Sequence, residues 1–394
     1  MRKDIAVKEK KTTLSWTLIF AMTALAFSMR AAMSSVGPLI SLMKSDLQLS
    51  STIAGFLTTI PLITFALTSP FAAQWGTKTD LRVLLVACTL VNAIGVAVRS
   101  LCGVAGLFIG TILIGLATGT LNVIIPAWVR CQFSEHIGFM MGLYSTVMTL
   151  ASAISAGIVQ PIARATGSWR VSLGSSLVTF VIALLICILA WKNMQPRLPQ
   201  PVGTNGRLKI RPRYMAIAFF MGLQSFLFFS CLSWLPSIVG SLCPGMTQTG
   251  ILITVMQCAS LIPAFVMPIV LGKTQKHGVL ASSMALLLGL GFLILLLSNG
   301  SVALVMLGTI LAGIGSGGTL SVALTLVAMQ GSNAGETAKI SGFCQCIGYL
   351  LAAFGPTGFG YLFDAVGSWV PILWIMVVLS CVMMLIGWRA GKKE

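Results

Sequence analysis

Arg30 is the residue around which chemistry can be built. It stands near the middle of a long apolar run, residues 14–42, with no acid in that run. An ionised group at bilayer depth costs about 2.5–3.5 kcal/mol on insertion scales and usually serves function. Its planar fork of donors matches a small anion bidentately. The structural alternative is that it bonds helix-end carbonyls or snorkels along the run to the surface. Arg99, a second arginine inside an apolar run, at its outer end, is a further candidate solute contact. Weaker polar candidates at depth are Gln257, Gln345 and Tyr349, the last two one turn apart on one helical face. Asn122 and Tyr144 lie toward the cytoplasmic ends of their runs, and Trp234 in the outer half of its own. Each weaker candidate could equally be a helix–helix hydrogen bond of about 0.6 kcal/mol, and Trp234 an interfacial anchor.

The other ionisable residues fall between apolar runs. Asp4, Glu9, Asp80, Glu135, Glu336 and Glu394 lie on one side, Asp46 and Asp364 on the other, and His136 and His277 in connections. A proton relay through a buried carboxylate has no obvious carrier, although Asp46 and Asp364 stand near the outer mouth. Cys344 and Cys346, two apart, point to different faces of a helix and cannot chelate one ion well, so the cysteines read as small packing residues. No metal, no cofactor and no catalytic constellation is expected, hence no enzyme.

These residues must be positioned in lipid. The chain has 394 residues, 57% hydrophobic and only 8% charged, where a soluble domain carries about 25% charged residues. The net charge of +17 is spread through short gaps between apolar runs. Nucleic-acid binders cluster such charge on a soluble face, so no nucleic-acid partner is expected. About 20 apolar residues cross a bilayer. Twelve such runs are legible: 14–42, 51–75, 82–101, 104–127, 138–163, 169–191, 214–240, 247–272, 278–298, 301–327, 338–362 and 368–389. The first is long enough to imply tilt or an extension beyond the membrane, and too long for a signal-peptide core, so it reads as a retained helix. Lys44, Arg164 and Arg170 are the basic residues on one side; nearly all the others lie on the opposite side. Both termini are therefore expected in the cytoplasm, in a cell (inner) membrane.

The chain also repeats. Gly110-Thr111-Ile112-Leu113 recurs as Gly308-Thr309-Ile310-Leu311, Gly142 as Gly342, and Ala165, Gly167, Ser168, Trp169 as Ala365, Gly367, Ser368, Trp369, all at offsets of 198 to 200. A repeat of six spans keeps its topology, which gives parallel halves with a solute path between them. The expected fold class is an all-α membrane protein of twelve helices in two six-helix bundles. The divisions are 1–192, a linker at 193–213 containing Pro196, Pro199 and Pro201, and 214–394. Arg30 should face the central cavity, with Gln257, Gln345 and Tyr349 lining it from the other half. Small residues in the fourth and tenth spans suit close helix packing, and Gly355-Pro356-x-Gly358-x-Gly360 suits a bend.

The stretch from Met29-Arg30 to Ser35-Val36-Gly37-Pro38-Leu39 resembles the first helix of a branch of the major facilitator superfamily that contains a cyanate transporter and a 2-nitroimidazole exporter. Leu57 to Leu62, Arg99-Ser100-Leu101, Asn122 to Pro126, Gly142 to Ser145, Trp234-Leu235-Pro236, and Gln345 with Gly348 to Ala353 are similar in the same order. The loop Gln74 to Arg82 departs from the superfamily's pattern, keeping only Asp80 and its basic residues. The resemblance implies the major facilitator fold and a solute transporter. The leading expectation is a small anionic or strongly polar solute moved by alternating access, by a monomer. The alternatives are an exporter of neutral nitro-heteroaromatic or drug-like compounds, and, in another class, a transporter-like membrane sensor.

Overall fold

A computed structural model describes residues 15–48, 51–198, 210–244, 246, 251–331 and 333–392. The basic N-terminal segment and most of the expected linker lie outside these residues. Twelve helices are long and apolar enough to cross a membrane, and no strand occurs among the described residues. They are α1 (Trp16–Ser34), α2 (Ser51–Lys78), α3 (Leu81–Leu101), α4 (Gly103–Gln132), α5 (Ile137–Thr166) and α6 (Trp169–Asn193). Then come α7 (Pro212–Leu242), α8 (Ile251–Lys273), α9 (His277–Leu296), α10 (Val302–Met329), α11 (Ala334–Val366) and α12 (Val370–Gly391). Hydrocarbon offers the backbone no hydrogen-bond partner, so an apolar run of this length closes its own bonds as a helix. For the same reason proline is tolerated inside α2, α4, α5, α7, α8 and α11.

One expectation needs correction. The run 14–42 is not one long helix. It stops at Ser34, passes through a 3-10 turn at Gly37–Leu39 and resumes as a short helix at Ile40–Leu47. Pro38 cannot donate to Ser34 and disfavours helical backbone at Gly37, so the break falls there. The Gly-Pro stretch at 355–360 lies inside α11, which is continuous for 33 residues. Its glycines allow close approach: Gly355 lies against Ser230 and Phe226, and Gly360 makes room for the Trp234 ring.

The halves pack alike. In the first, α4 carries α2 and α3 while α1 packs on α5 and α6; in the second, α10 carries α8 and α9 while α7 packs on α11 and α12. Glycines make each equivalent contact possible. Gly115 and Gly119 of α4 let α2 approach, as Gly313 and Gly317 of α10 let α8 approach. The halves then exchange partners: α2 packs on α11, and α8 on α5. Gly142 faces the carbonyl of Phe265 across one seam, and its repeat mate Gly342 faces the carbonyl of Ser69 across the other.

Both seams are tight toward the end of the molecule where the chain leaves at Leu198 and re-enters at Ile210, called here the basic face. There Gly138 abuts Pro268, and the Arg130 guanidinium at the end of α4 donates to Ala328 O at 3.1 Å and Gly331 O at 2.6 Å beyond α10. Asp80 is engaged by Arg82 of its own half. It caps α3 within its own half, accepting from Arg82 N at 2.9 Å and pairing with that guanidinium at 2.6 Å. At the opposite face, Asp46 accepts from the Trp169 indole at 2.9 Å and pairs with Arg170 at 2.8 Å, again within the first half.

Candidate functional site

Five helices, α1, α5, α7, α8 and α10, converge on a small cavity at mid-depth. Arg30 enters it from α1, Thr149 and Ser152 from α5, Phe228 from α7, Gln257 from α8 and Ser316 from α10. Both halves therefore build the wall. Arg30 is half-buried. Its guanidinium carbon lies 5.9 Å from the centre of the Phe228 ring, close enough for a cation–π contact. Among the described residues it makes no hydrogen bond and no ion pair. Five donors are thus presented to the cavity with nothing from the protein to receive them.

A short relay crosses the cavity wall between the halves. Gln257 donates from Nε2 to Ser152 Oγ at 2.9 Å, and the Ser152 and Ser34 hydroxyls are hydrogen-bonded to each other at 2.6 Å. Thr149 is committed to its own helix through Ser145 O at 2.9 Å, and Ser260 through Gln257 O at 2.6 Å. Their remaining lone pairs and the Gln257 amide oxygen give the wall acceptors beside the cationic fork. Such a wall can bind a group that carries negative charge and still accommodate a proton on it.

Of the residues expected from the sequence, the cavity brings together Arg30 and Gln257. Gln345 and Tyr349 are not among its lining residues. They belong to a layer beneath it, on the side of the basic face. Gln345 Nε2 donates to Asn122 O at 2.7 Å and to Ser341 Oγ at 3.0 Å, and Tyr144 donates to Asn122 Oδ1 at 3.3 Å. Tyr349 packs edge-on against Phe65 at 5.0 Å, and both tyrosines lie within electrostatic reach of Arg30. This layer ties α11 to α2 and α4 and forms a floor. Trp234 is remote from the cavity: its indole donates to Pro356 O at 2.7 Å and its rings lie 5.3 Å from Trp369. Arg99 is also elsewhere. It is 2% exposed and spends its donors on Ala32 O at 3.0 Å and Ser35 Oγ at 3.3 Å.

Thr149, Ser152, Phe228 and Ser316 were not singled out by the sequence. Serine and threonine abound in membrane helices and usually bond their own backbone, so one alone carries no signal. A signal was present in spacing: Ser145, Thr149, Ser152 and Ser155 make a polar stripe down one face of the otherwise apolar α5.

Twelve spanning helices, in two equivalent six-helix bundles around a small polar cavity at mid-depth, define a membrane transporter of small solutes rather than an enzyme. The chain belongs to the Major Facilitator Superfamily, whose family model matches residues 22–356. It is 35% identical to the uncharacterized transporter YycB of Bacillus subtilis over 97% of this chain and 95% of that one. It is 30% identical to the 2-nitroimidazole transporter of Escherichia coli over 96% of each chain. The cyanate transport protein CynX of the same organism is 22% identical over 89% of this chain and 91% of its own. The fold is shared with the transporter FucP in its outward conformation, with a TM-score of 0.73 at 16% identity, covering 95% of this chain and 99% of that one.

Proposed function

We propose that this protein carries a small anionic or strongly polar solute across a cell membrane by alternating access, with Arg30 as the group that binds it. The observation that carries this reading is the Arg30 fork, which opens onto a cavity shared by both halves and has no acceptor among the described residues. An isolated buried cation is costly, and an anion removes that cost when it binds. Gln257, Ser152 and Thr149 complete the recognition of its oxygens or nitrogens, while Gln345, Tyr349, Asn122 and Tyr144 form the floor that parts when the basic face opens. The basic face is cytoplasmic on this reading, the two bundles 1–192 and 214–394 rock about the cavity, and 193–213 tethers them.

Charge sets the coupling. Moving one charge across 100 mV involves about 2.3 kcal/mol, so a cell that is negative inside favours anion exit and opposes anion entry. Among the described residues the core offers no carboxylate to carry a compensating proton. Exchange for another anion, facilitated export, or entry as the neutral acid follows.

A second reading is supported by the 2-nitroimidazole transporter, to which this chain is similar over nearly its whole length, and by the Phe228 ring beside Arg30. A nitro group presents two oxygens to a guanidinium as a carboxylate does, and an aromatic ring gives a flat heterocycle a face. One experiment separates the two. Flux is measured in proteoliposomes, with pH gradient and voltage set independently, for cyanate, nitrate, formate and benzoate, for neutral 2-nitroimidazole, and for tetraethylammonium. Saturable flux of at least one anion, lost in Arg30→Ala, supports the first reading; flux of 2-nitroimidazole alone supports the second. Transport of tetraethylammonium, or native flux in Arg30→Ala, overturns the assignment of Arg30.

A further inference from the structure

Arg99 is buried, charged and unused by the site, and its surroundings explain why it is there. α1 ends at Ser34; Ala31 O still accepts from Ser35 N at 3.2 Å, but Ala32 O has no backbone donor among the described residues. Side chains from neighbouring helices take that role. Arg99 Nη1 of α3 donates to Ala32 O at 3.0 Å, where Ser35 Oγ also donates at 3.0 Å, and Ser155 Oγ of α5 donates to Ala31 O at 2.8 Å. Arg99 Nη2 reaches Ser35 Oγ itself at 3.3 Å. No acid pairs with Arg99 among the described residues, and its Nε has no partner there. Its counter-charge is the negative end of the α1 dipole. The base of the side chain is fixed as well. A Cβ on Gly110 of α4 would lie 2.6 Å from the Arg99 Cβ and backbone nitrogen, so α3 and α4 meet at Arg99 with no slack.

Ala32 follows Arg30 by two residues, about 200° around the helix, so the two side chains leave the same turn on opposite faces. The Ala32 side packs against Val96, Ile114 and Phe180 of α3, α4 and α6, and the Arg30 side opens to the cavity. A clamp on the carbonyls of this turn therefore sets where the Arg30 stem begins.

We propose that Arg99 is a positioning residue for solute recognition: its guanidinium caps the interrupted end of α1 and holds the turn that carries Arg30 at the rotation from which its fork meets the cavity. The inference rests on the reading of Arg30 as the solute-binding group. It is distinct from a merely structural role, which would lower the amount of folded protein without changing how the folded protein recognises its solute.

The test is the concentration dependence of anion flux in proteoliposomes, using whichever of cyanate, nitrate, formate and benzoate the native protein carries fastest. Arg99→Ala is expected to raise the half-saturation concentration at least about tenfold while changing the maximal rate per folded molecule much less. Arg99→Lys keeps a cation at the helix end and is expected to recover most of the affinity. In an Arg30→Lys background, Arg99→Ala should add little further, because the fork it positions is already gone. If Arg99→Ala does not assemble, Arg99→Leu, which fills the space without donor or charge, is expected to show the same rise. An unchanged half-saturation in both Arg99→Ala and Arg99→Leu, or fully additive effects with Arg30→Lys, overturns the inference while leaving Arg30's role intact. Flux of none of these anions by the native protein overturns both.

Discussion

Two arginines sit in neighbouring helices of the first half, Arg30 in α1 and Arg99 in α3, and their surroundings are opposites. Arg99 is 2% exposed, and its fork is engaged by a backbone carbonyl and a hydroxyl at the end of α1. Arg30 is half-buried, leans on one aromatic ring and meets no acceptor of the protein. The sequence presents both as lone charges in apolar runs. The difference lies in what stands opposite each. A buried cation facing orphaned helix-end carbonyls is satisfied by the fold and stabilises it. A cation facing a polar cavity is, on the proposed reading, satisfied by a guest.

This comparison is sharpened or broken by measuring stability and transport separately for each residue. The largest effect is expected for Arg30→Ala on transport. Loss of a charge-assisted hydrogen bond costs about 1.5–3 kcal/mol, so affinity for a carried anion should fall roughly 10- to 150-fold. Thermal unfolding in detergent should show no loss of stability, because the change removes a buried charge that has no partner. A fall in Tm as large as that from Arg99→Ala would put the two arginines in one class and break the distinction.

Arg99→Ala comes next, with the opposite signature. It removes a charge-assisted hydrogen bond to Ala32 O, which keeps only its bond from Ser35 Oγ, and such a loss costs about 1.5–3 kcal/mol, read as a lowered Tm. A Tm equal to that of the native protein would mean that the Ser35 bond alone satisfies the end of α1. Smaller still should be Gln257→Leu. It removes one neutral hydrogen bond to Ser152, worth about 0.5–1.5 kcal/mol, and should weaken solute binding by no more than about tenfold. A loss equal to that of Arg30→Ala would move the centre of recognition from the charge to the amide.

The smallest effect is expected at Asp46, whose carboxyl is held below the usual carboxylate range by the Trp169 indole and the Arg170 guanidinium. A depressed pKa means that the clamp is present at neutral pH and is lost only as pH falls through that lowered value. Asp46 stays ionised through the physiological range and is a poor proton carrier. Asp46→Asn should therefore leave the pH dependence of flux unchanged above about pH 5. A proton-driven component that vanishes in this variant would place coupling at the outer mouth.

The fold was legible because lipid leaves little choice: each long apolar run had to close its own backbone bonds, and twelve were counted correctly. The repeat was legible in glycines, and Gly142 and Gly342 make equivalent contacts with the other half. The break in α1 was not read, since the apolar pattern runs through Pro38 undisturbed and only backbone chemistry marks the stop. In the site, Arg30 stood out as a charge where charge is expensive. Gln345 and Tyr349 share a helical face as their spacing implies, yet their helix turns that face toward α2 and α4 below the cavity, and no local pattern encodes that rotation. Arg99 was expected to contact solute because nothing in the sequence reveals that the open end of α1 lies against it.

The central claim is that Arg30 is completed by a guest. Its most direct test is equilibrium binding of the carried anion to purified protein, native against Arg30→Lys, which keeps the charge and loses the planar fork. The account predicts at least about a tenfold weaker Kd in Arg30→Lys with Tm unchanged. An equal Kd in the two proteins would contradict it, and would mean that the fork at position 30 does not hold the solute.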